Sequence, residues 1–442
     1  MRSDELKGIL IQWFRSALVR RFASNSIWMT VARCCWIVGA FTVGVLVARK
    51  LGPDDYGIIG YCTAYVGLFA VIASLGVDSL VERDYILHPE RRTRILGNYF
   101  LFRLCTTALM LLALAVSFLF MQDRRLILFC CIAASGYIFV PMYVVNIVFS
   151  AEVRNEYNAF SQILTCLCYN GIRLWALLTD CPLTVYMTAE AILTGFGALV
   201  SGIFYCRKCG NPLRWTSSFR EAFGLLLPAL PLSLTVVFSS IYARTDMLML
   251  KYYEGPASVG IYSIAARFTE NWLIFTGLFS QVFSVAVISG FKTSPEEYRK
   301  QLHRYYFMLF NITLPPIVLT LLLGRPVIRF LYGPDFMNAV PVLSIFVFTL
   351  IFSSLLSGFN CHAINENRLM TIAFVFGSGA LINVPMNMIL IPHFGMCGAA
   401  VSSLVSMPLG FAAVLLGSAK GRADLRFLLH SVTHLPSFKL NS

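Results

Sequence analysis

Across 442 residues, 57% are hydrophobic and only 13% charged, with a mean hydropathy of +0.72; soluble domains carry about a quarter charged residues. A soluble enzyme or nucleic-acid-binding domain cannot hide that much apolar surface, so lipid must solvate most of the chain. The 35 Lys and Arg against 22 Asp and Glu then read as basic loops of a membrane protein, and nucleic acid is not expected as a partner.

Residues 1–26 place Leu6, Ile9, Leu10, Trp13, Phe14, Ala17 and Leu18 at helical spacing between Lys7, Arg15, Arg20 and Arg21. That pattern predicts an amphipathic, interfacial, cytoplasmic leader. The apolar run from Ile27 is longer than the roughly 7–15 residues of a cleavable signal core. At about 20 residues per crossing, twelve spans follow: 27–48, 56–80, 95–120, 126–149, 159–179, 184–205, 222–243, 259–289, 304–323, 339–361, 369–391 and 396–418. Asn170 and Arg173 interrupt the fifth.

Basic residues gather on alternate connections. One side takes the leader, Arg83 to Arg94, Arg207 to Arg220, Lys292 to Arg304 and the tail; the other holds Arg49, Lys50, Arg124, Arg125, Arg244, Lys251, Arg325 and Arg329. The richer side is expected to be cytoplasmic, with both termini on it. The predicted architecture is an all-α polytopic membrane protein: a six-helix bundle over 27–210, a cytoplasmic linker at 211–221, a second bundle over 222–418 and a cytoplasmic tail at 419–442. Nothing outside the spans approaches the roughly 40 residues that a small folded domain needs, so function falls to the bundle and no catalytic domain is expected. Most of the thirteen cysteines lie in apolar runs, and Cys206-x-x-Cys209 has no second pair, so neither metal nor cofactor is expected.

An internal repeat divides the chain. Gly52-Pro53-Asp54-Asp55-Tyr56-Gly57-Ile58 follows the first span, and Gly255-Pro256-Ala257-Ser258-Val259-Gly260-Ile261 the seventh. Both read G-P-x-x-x-G-I and open the next span. Duplicated halves with a parallel relation are a transporter pattern, with substrate held between the halves and alternating access by rocking. Pro228 and Pro231, opening the second half, are the hinge candidates, ahead of Gly136 to Pro141 and Pro315-Pro316.

The stretch Val47-Ala-Arg-Lys-Leu-Gly-Pro-Asp-Asp-Tyr-Gly57 resembles the signature after the first helix of bacterial O-antigen and polysaccharide flippases. Leu75-Gly-Val-Asp78, Asp246 followed by Gly260 to Ala265, Tyr332 to Phe336, and Phe394 to Ala400 are similar in order. The family belongs to the multidrug, oligosaccharidyl-lipid and polysaccharide exporter superfamily. The resemblance implies a multi-pass protein of the bacterial inner membrane that moves an undecaprenyl-diphosphate-linked oligosaccharide between leaflets, without enzymatic chemistry or cofactor. It also implies a polysaccharide polymerase and a chain-length regulator as neighbours in the membrane. A pseudo-symmetric bundle with its own central path is expected to work as a monomer.

A charge at mid-bilayer costs roughly 2.5–3.5 kcal/mol on insertion scales, so those retained are functional candidates. Arg33, Arg103, Arg173 and Arg267 fall within spans and are the candidates for diphosphate or acidic-sugar contact, with Arg33 and Arg267 first. Each also has a plain reading: Arg33 and Arg103 lie shallow enough to snorkel, and Arg267 is three residues from Glu270. Glu190, Glu270 and Asp246 are the ion-coupling candidates. Trp36, Tyr61, Tyr65, Trp272, Asn271, Asn360 and Asn383 are plausible sugar-facing residues. A drug or cation exporter of the same superfamily is expected to carry acids in its first helix, and residues 27–48 have none. A peptidoglycan-precursor flippase typically has two more helices. A membrane polymerase or glycosyltransferase needs an extramembrane domain that this pattern lacks.

Overall fold

The computed structural model describes residues 17–434, which contain helices and turns and no strand. Each of the twelve expected spans falls on a helix. Among the described residues, nine runs are long and apolar enough to cross a membrane. Two of them are pairs of helices joined through a kink. The polar-interrupted fifth span is a helix as well, Glu156–Leu178. Leucines and phenylalanines such as Leu112, Leu178, Leu322, Phe330 and Leu381 stay largely exposed along these helices, as expected where lipid rather than water surrounds the fold.

The first run, Ala17–Ser74, is two helices, α1 (17–51) and α2 (53–74), that turn at Gly52. Its φ of 73° lies in the left-handed region, open to a residue without Cβ. Pro53 then occupies the first turn of α2, where a missing N–H breaks no bond. The first sixteen residues of the predicted leader lie outside the described residues.

One compact unit comprises the chain up to Val47 together with Phe69–Ala229. After α1 it holds α3 (Asp78–Leu87), α4 (Arg92–Ser117), α5 (Arg124–Ser135), a 3-10 stretch Gly136–Tyr143, α6 (Val144–Ala151), α7 (Glu156–Leu178), α8 (Leu183–Lys208) and α9 (Phe219–Gly224). Tyr99, Phe102, Val144, Val148 and Phe149 form its core. The predicted linker is tied to α4: Glu221 accepts from Arg94 and, at 2.8 Å, from Asn98, whose own side-chain oxygen takes the Ser218 amide.

The other unit comprises Ala48–Leu68 and the chain from Leu230 onward. It contains α10 (Leu226–Glu254), α11 (Pro256–Thr293), α12 (Pro295–Leu331), α13 (Ala339–Phe346) and α14 (Thr349–Asn365). The run Leu369–Leu416 turns at Gly395, φ 56°, into α15 (369–394) and α16 (396–416), and α17 (Ala419–Thr433) follows. Tyr305, Tyr306, Phe359 and Phe411 centre its core, the last two rings edge-on at 5.0 Å. Residues 48–68, which the sequence places in the first half, cluster here for a reason visible in the repeat. A Cβ at Gly57 would collide with the Pro256 carbonyl, and one at Gly260 with the Pro53 carbonyl. The two G-P-x-x-x-G-I copies therefore pack backbone to backbone, each through the glycine of the other.

Three expectations need correction. The seventh span does not stop at 243, because α10 continues to Glu254 and carries Arg244 and Asp246 inside the helix rather than in a loop. Arg304, Arg325 and Arg329, also read as loop residues, lie within α12. The tail is a packed helix as far as Thr433. Asp424 of α17 pairs with Arg368 and sits 3.4 Å from His362, while Lys420 meets Glu366 at 2.9 Å.

Candidate functional site

Asp246 sits past the middle of α10 and is almost fully enclosed, with 4% of its surface accessible. Its carboxylate accepts from the Tyr262 hydroxyl at 2.6 Å, from the Asn387 amide at 2.7 Å, and from the Ser403 hydroxyl. Those donors come from α11, α15 and α16, so one side chain gathers four helices. The network continues: Asn387 also donates to the Asn383 side chain at 2.9 Å, and Asn383 reaches Ser402 at 3.3 Å. The Asn387 side-chain oxygen is buried without a hydrogen-bond partner. A carboxylate held by uncharged donors beside an orphan amide oxygen has coordination to spare for a positive charge, which is the chemistry of a proton or small-cation site.

The first unit handles its charges differently. Arg103 is buried, and its guanidinium pairs with Asp78 while donating to the Tyr99 hydroxyl at 2.7 Å. Tyr99 in turn donates to Asp78. Arg173, 3% exposed, donates to the Tyr169 hydroxyl at 3.0 Å, and that hydroxyl donates to Glu190 at 2.7 Å. Both arginines and Glu190 thus sit in closed chains that end on an opposite charge. Arg103 and Arg173, expected as anion-binding groups, are buried, the first paired with Asp78 and the second linked to Glu190 through the Tyr169 hydroxyl.

A second set of charges lies in the other unit. The Arg244 guanidinium rests over Gly67, where a Cβ would collide with it, and donates to the Thr63 carbonyl at 3.4 Å. Arg267 stacks over the Tyr56 ring at 5.5 Å, and Lys251 over Tyr61 at 5.4 Å. Glu270 is exposed on α11, three residues after Arg267. Glycine at 67 and tyrosines at 56 and 61 therefore seat cations on the short segment that begins with the first repeat.

The remaining candidates separate. Arg33 is exposed on α1. Pro228 falls in the first turn of α10, where it starts the helix rather than bending it, whereas Pro231 lies inside. Asn271 donates to the Arg267 carbonyl of its own helix, and Trp272 packs against Phe275 and the Ile317 cluster. Trp36 stacks near Tyr169, and Tyr61 on Tyr65. Asn383 joins the Asp246 network, and Asn360 lines a cavity beside it. Arg244, Tyr262, Asn387, Ser402 and Ser403 were not foreseen. The available signal was amide and hydroxyl spacing in apolar helices, Asn383 with Asn387 and Ser402 with Ser406, each four apart and on one face.

The chain is 20% identical to the "Putative O-antigen transporter" of Shigella flexneri over 86% of its own length and 93% of that protein. It is 26% identical to "Probable flippase AglR" of Haloferax volcanii over 38% of its length, a match spanning 36% of that relative. Its fold is that of the solved "Lipid II flippase MurJ, inward closed conformation", with a TM-score of 0.69 at 16% identity, covering 92% of this chain and 91% of that one. These likenesses make it a multi-pass membrane transporter or flippase rather than an enzyme. The model of the polysaccharide biosynthesis protein family matches residues 22–283, more than half the chain, and the chain belongs to that family.

Proposed function

We propose that the protein is a flippase for an undecaprenyl-diphosphate-linked oligosaccharide, moving it from the inner to the outer leaflet of a bacterial inner membrane by alternating access. The observation that carries the substrate class is the pair Arg244 and Arg267, two guanidiniums inside apolar helices, one seated against Gly67 and the other over the Tyr56 ring. A diphosphate suits guanidinium because its oxygens accept two parallel hydrogen bonds at once. Arg267, with Arg244 added and Arg33 on the first helix, is the proposed diphosphate contact. Coupling is proposed at Asp246: uptake of a proton or monovalent cation there changes the charge of the point where α10, α11, α15 and α16 meet, and so biases one conformation over another. A polymerase and a chain-length regulator in the same membrane are the proposed neighbours.

The test is deletion of the gene in its host, followed by mass spectrometry of polyprenyl-linked glycans and an assay of which leaflet holds them. Accumulation of a complete repeat unit on the inner leaflet with loss of surface polysaccharide is the expected result, restored by the wild-type gene and not by Arg267→Ala. An unchanged lipid-linked pool and surface glycan would overturn the reading in favour of drug or cation export. A surface still decorated with single units would point instead to a polymerase.

A further inference from the structure

Beside the Asp246 network, within the same unit, lies a cavity of about 280 Å³ between α10, α11, α14 and α16. Its lining carries no charged side chain, but Tyr242, Thr276, Ser353, Ser357, Asn360 and Ser403 bring oxygen to it. The direction of their hydrogen bonds matters more than their number. Thr276 donates to the Leu273 carbonyl, Ser357 to the Ser353 carbonyl and Tyr242 to the Ser403 carbonyl, at 3.1, 3.0 and 2.6 Å. Each hydroxyl has thus spent its proton on a backbone carbonyl, and what remains is lone pairs. The side-chain oxygen of Asn360 is buried with no hydrogen-bond partner. Oxygens with free lone pairs thus outnumber the donors on this wall, the Asn360 amide and the Ser353 hydroxyl, and such oxygens replace the hydration of a cation.

Ser403 belongs to both places. It lines the cavity, its hydroxyl donates to the Asp246 carboxylate, and its carbonyl takes the Tyr242 hydroxyl. Tyr242 is one helical turn before Asp246 on α10, so the two face the same way. From Ser403 the lining follows α14 to Asn360, about 7 Å short of the helix end at Asn365. It follows α16 to Pro408, towards the turn at 417 and 418. Both directions lead to the membrane face that the loop charges assign to the cytoplasm.

The geometry points to this cavity as the conduit by which a monovalent cation passes between that face and Asp246, with the Tyr242–Ser403 bond as its inner door. The inference rests on the coupling role proposed for Asp246. A conduit sets how fast the ion arrives and leaves, whereas the carboxylate sets how tightly it is held. Opening begins when Tyr242 releases the Ser403 carbonyl. Sodium and a proton carried on water share the chemistry of the lining, and the test separates them.

Purified full-length protein is mixed with radioactive sodium in one arm, and subjected to a pH jump with a proton-sensitive dye in the other. Ser357→Leu, which fills the cavity away from Asp246, is expected to slow both association and release about tenfold, an added barrier of about 1.4 kcal/mol, with affinity unchanged. Tyr242→Phe is expected to speed both. Asn360→Leu serves if Ser357→Leu does not fold. The arm in which rates respond identifies the ion. Asp246→Asn abolishing binding while both leucine variants exchange at the wild-type rate would overturn the conduit and leave the coupling role standing. Binding that survives Asp246→Asn would remove the coupling role, and the conduit with it.

Discussion

Two buried acids in this protein meet the same physical problem in opposite ways. In the first unit, Glu190 reaches Arg173 through one tyrosine hydroxyl, and Arg103 is paired with Asp78. In the second, Asp246 is held by a tyrosine, an asparagine and a serine, none of them charged. Taking a lone charge out of water costs far more than taking out a pair whose partners neutralise each other. A closed pair is therefore scaffold, able to persist through a conformational cycle. A carboxylate left with neutral donors is tolerable only if something else supplies the positive charge for part of the time. Burial alone does not separate the two cases; the partners do.

The largest effect expected from breaking this contrast is at Asp246. Asp246→Asn keeps the shape and removes the charge, and leaflet transfer of the lipid-linked substrate in proteoliposomes should fall about a hundredfold, the upper range of a coupling free energy between sites. Thermal unfolding in detergent should change little, since no partner charge is orphaned. Arg103→Met is the counterpart. It strands Asp78 beneath Tyr99, and unfolding should move by about 2 kcal/mol. That is below the roughly 3–5 of a fully buried pair, because the Asp78 side chain is 51% exposed. Transport per folded molecule should hold; a fall in transport without a fall in stability would make Arg103 a substrate contact.

Smaller effects sharpen the comparison at its edges. Gly57→Ala should destabilise by about 1–3 kcal/mol through overpacking, because its Cβ meets the Pro256 carbonyl, whereas Gly44→Ala, with nothing within 4 Å, should be neutral. Matched melting curves of the two variants decide it. The weakest predicted effect concerns α17. Burial raises the carboxyl pKa values of Glu366 and Asp424, but bonds from Lys420 and Arg368 and the charge of His362 outweigh it and hold both below their ordinary values. A lowered folded pKa stabilises above the unfolded value, about 4 for these acids. That contribution is lost as pH falls through the folded values. Hydrogen exchange of the α17 amides should therefore be slow at pH 7 and lose protection only below about pH 4; unchanged protection across that range would dismiss these carboxylates as what holds α17.

The sequence placed its twelve expected spans on helical segments, and found the repeat, because both depend on local signals, apolar length and Gly-Pro punctuation. The boundary error at the seventh span has the same origin. Arg244 and Asp246 looked like a loop because charge in a span is rare, and that rarity is what marks them as candidates. Arg33, Arg103, Arg173 and Arg267 were legible as residues in apolar runs, but their roles were not. Whether a guanidinium is neutralised depends on Asp78 and Glu190 being brought to it from other helices, and no short window of sequence contains that information.

Composition, span length and the ordered motifs by themselves determined a multi-pass helical bundle with duplicated halves. Tertiary structure alone decided which charges are neutralised and which stand open. It brought Tyr262, Asn387 and Ser403 from three helices onto one carboxylate, and packed Gly57 against the second copy of its own motif. The reason is range. Lipid solvation acts on each residue where it stands, whereas the cost of a buried charge is set by partners that only folding brings within 3 Å.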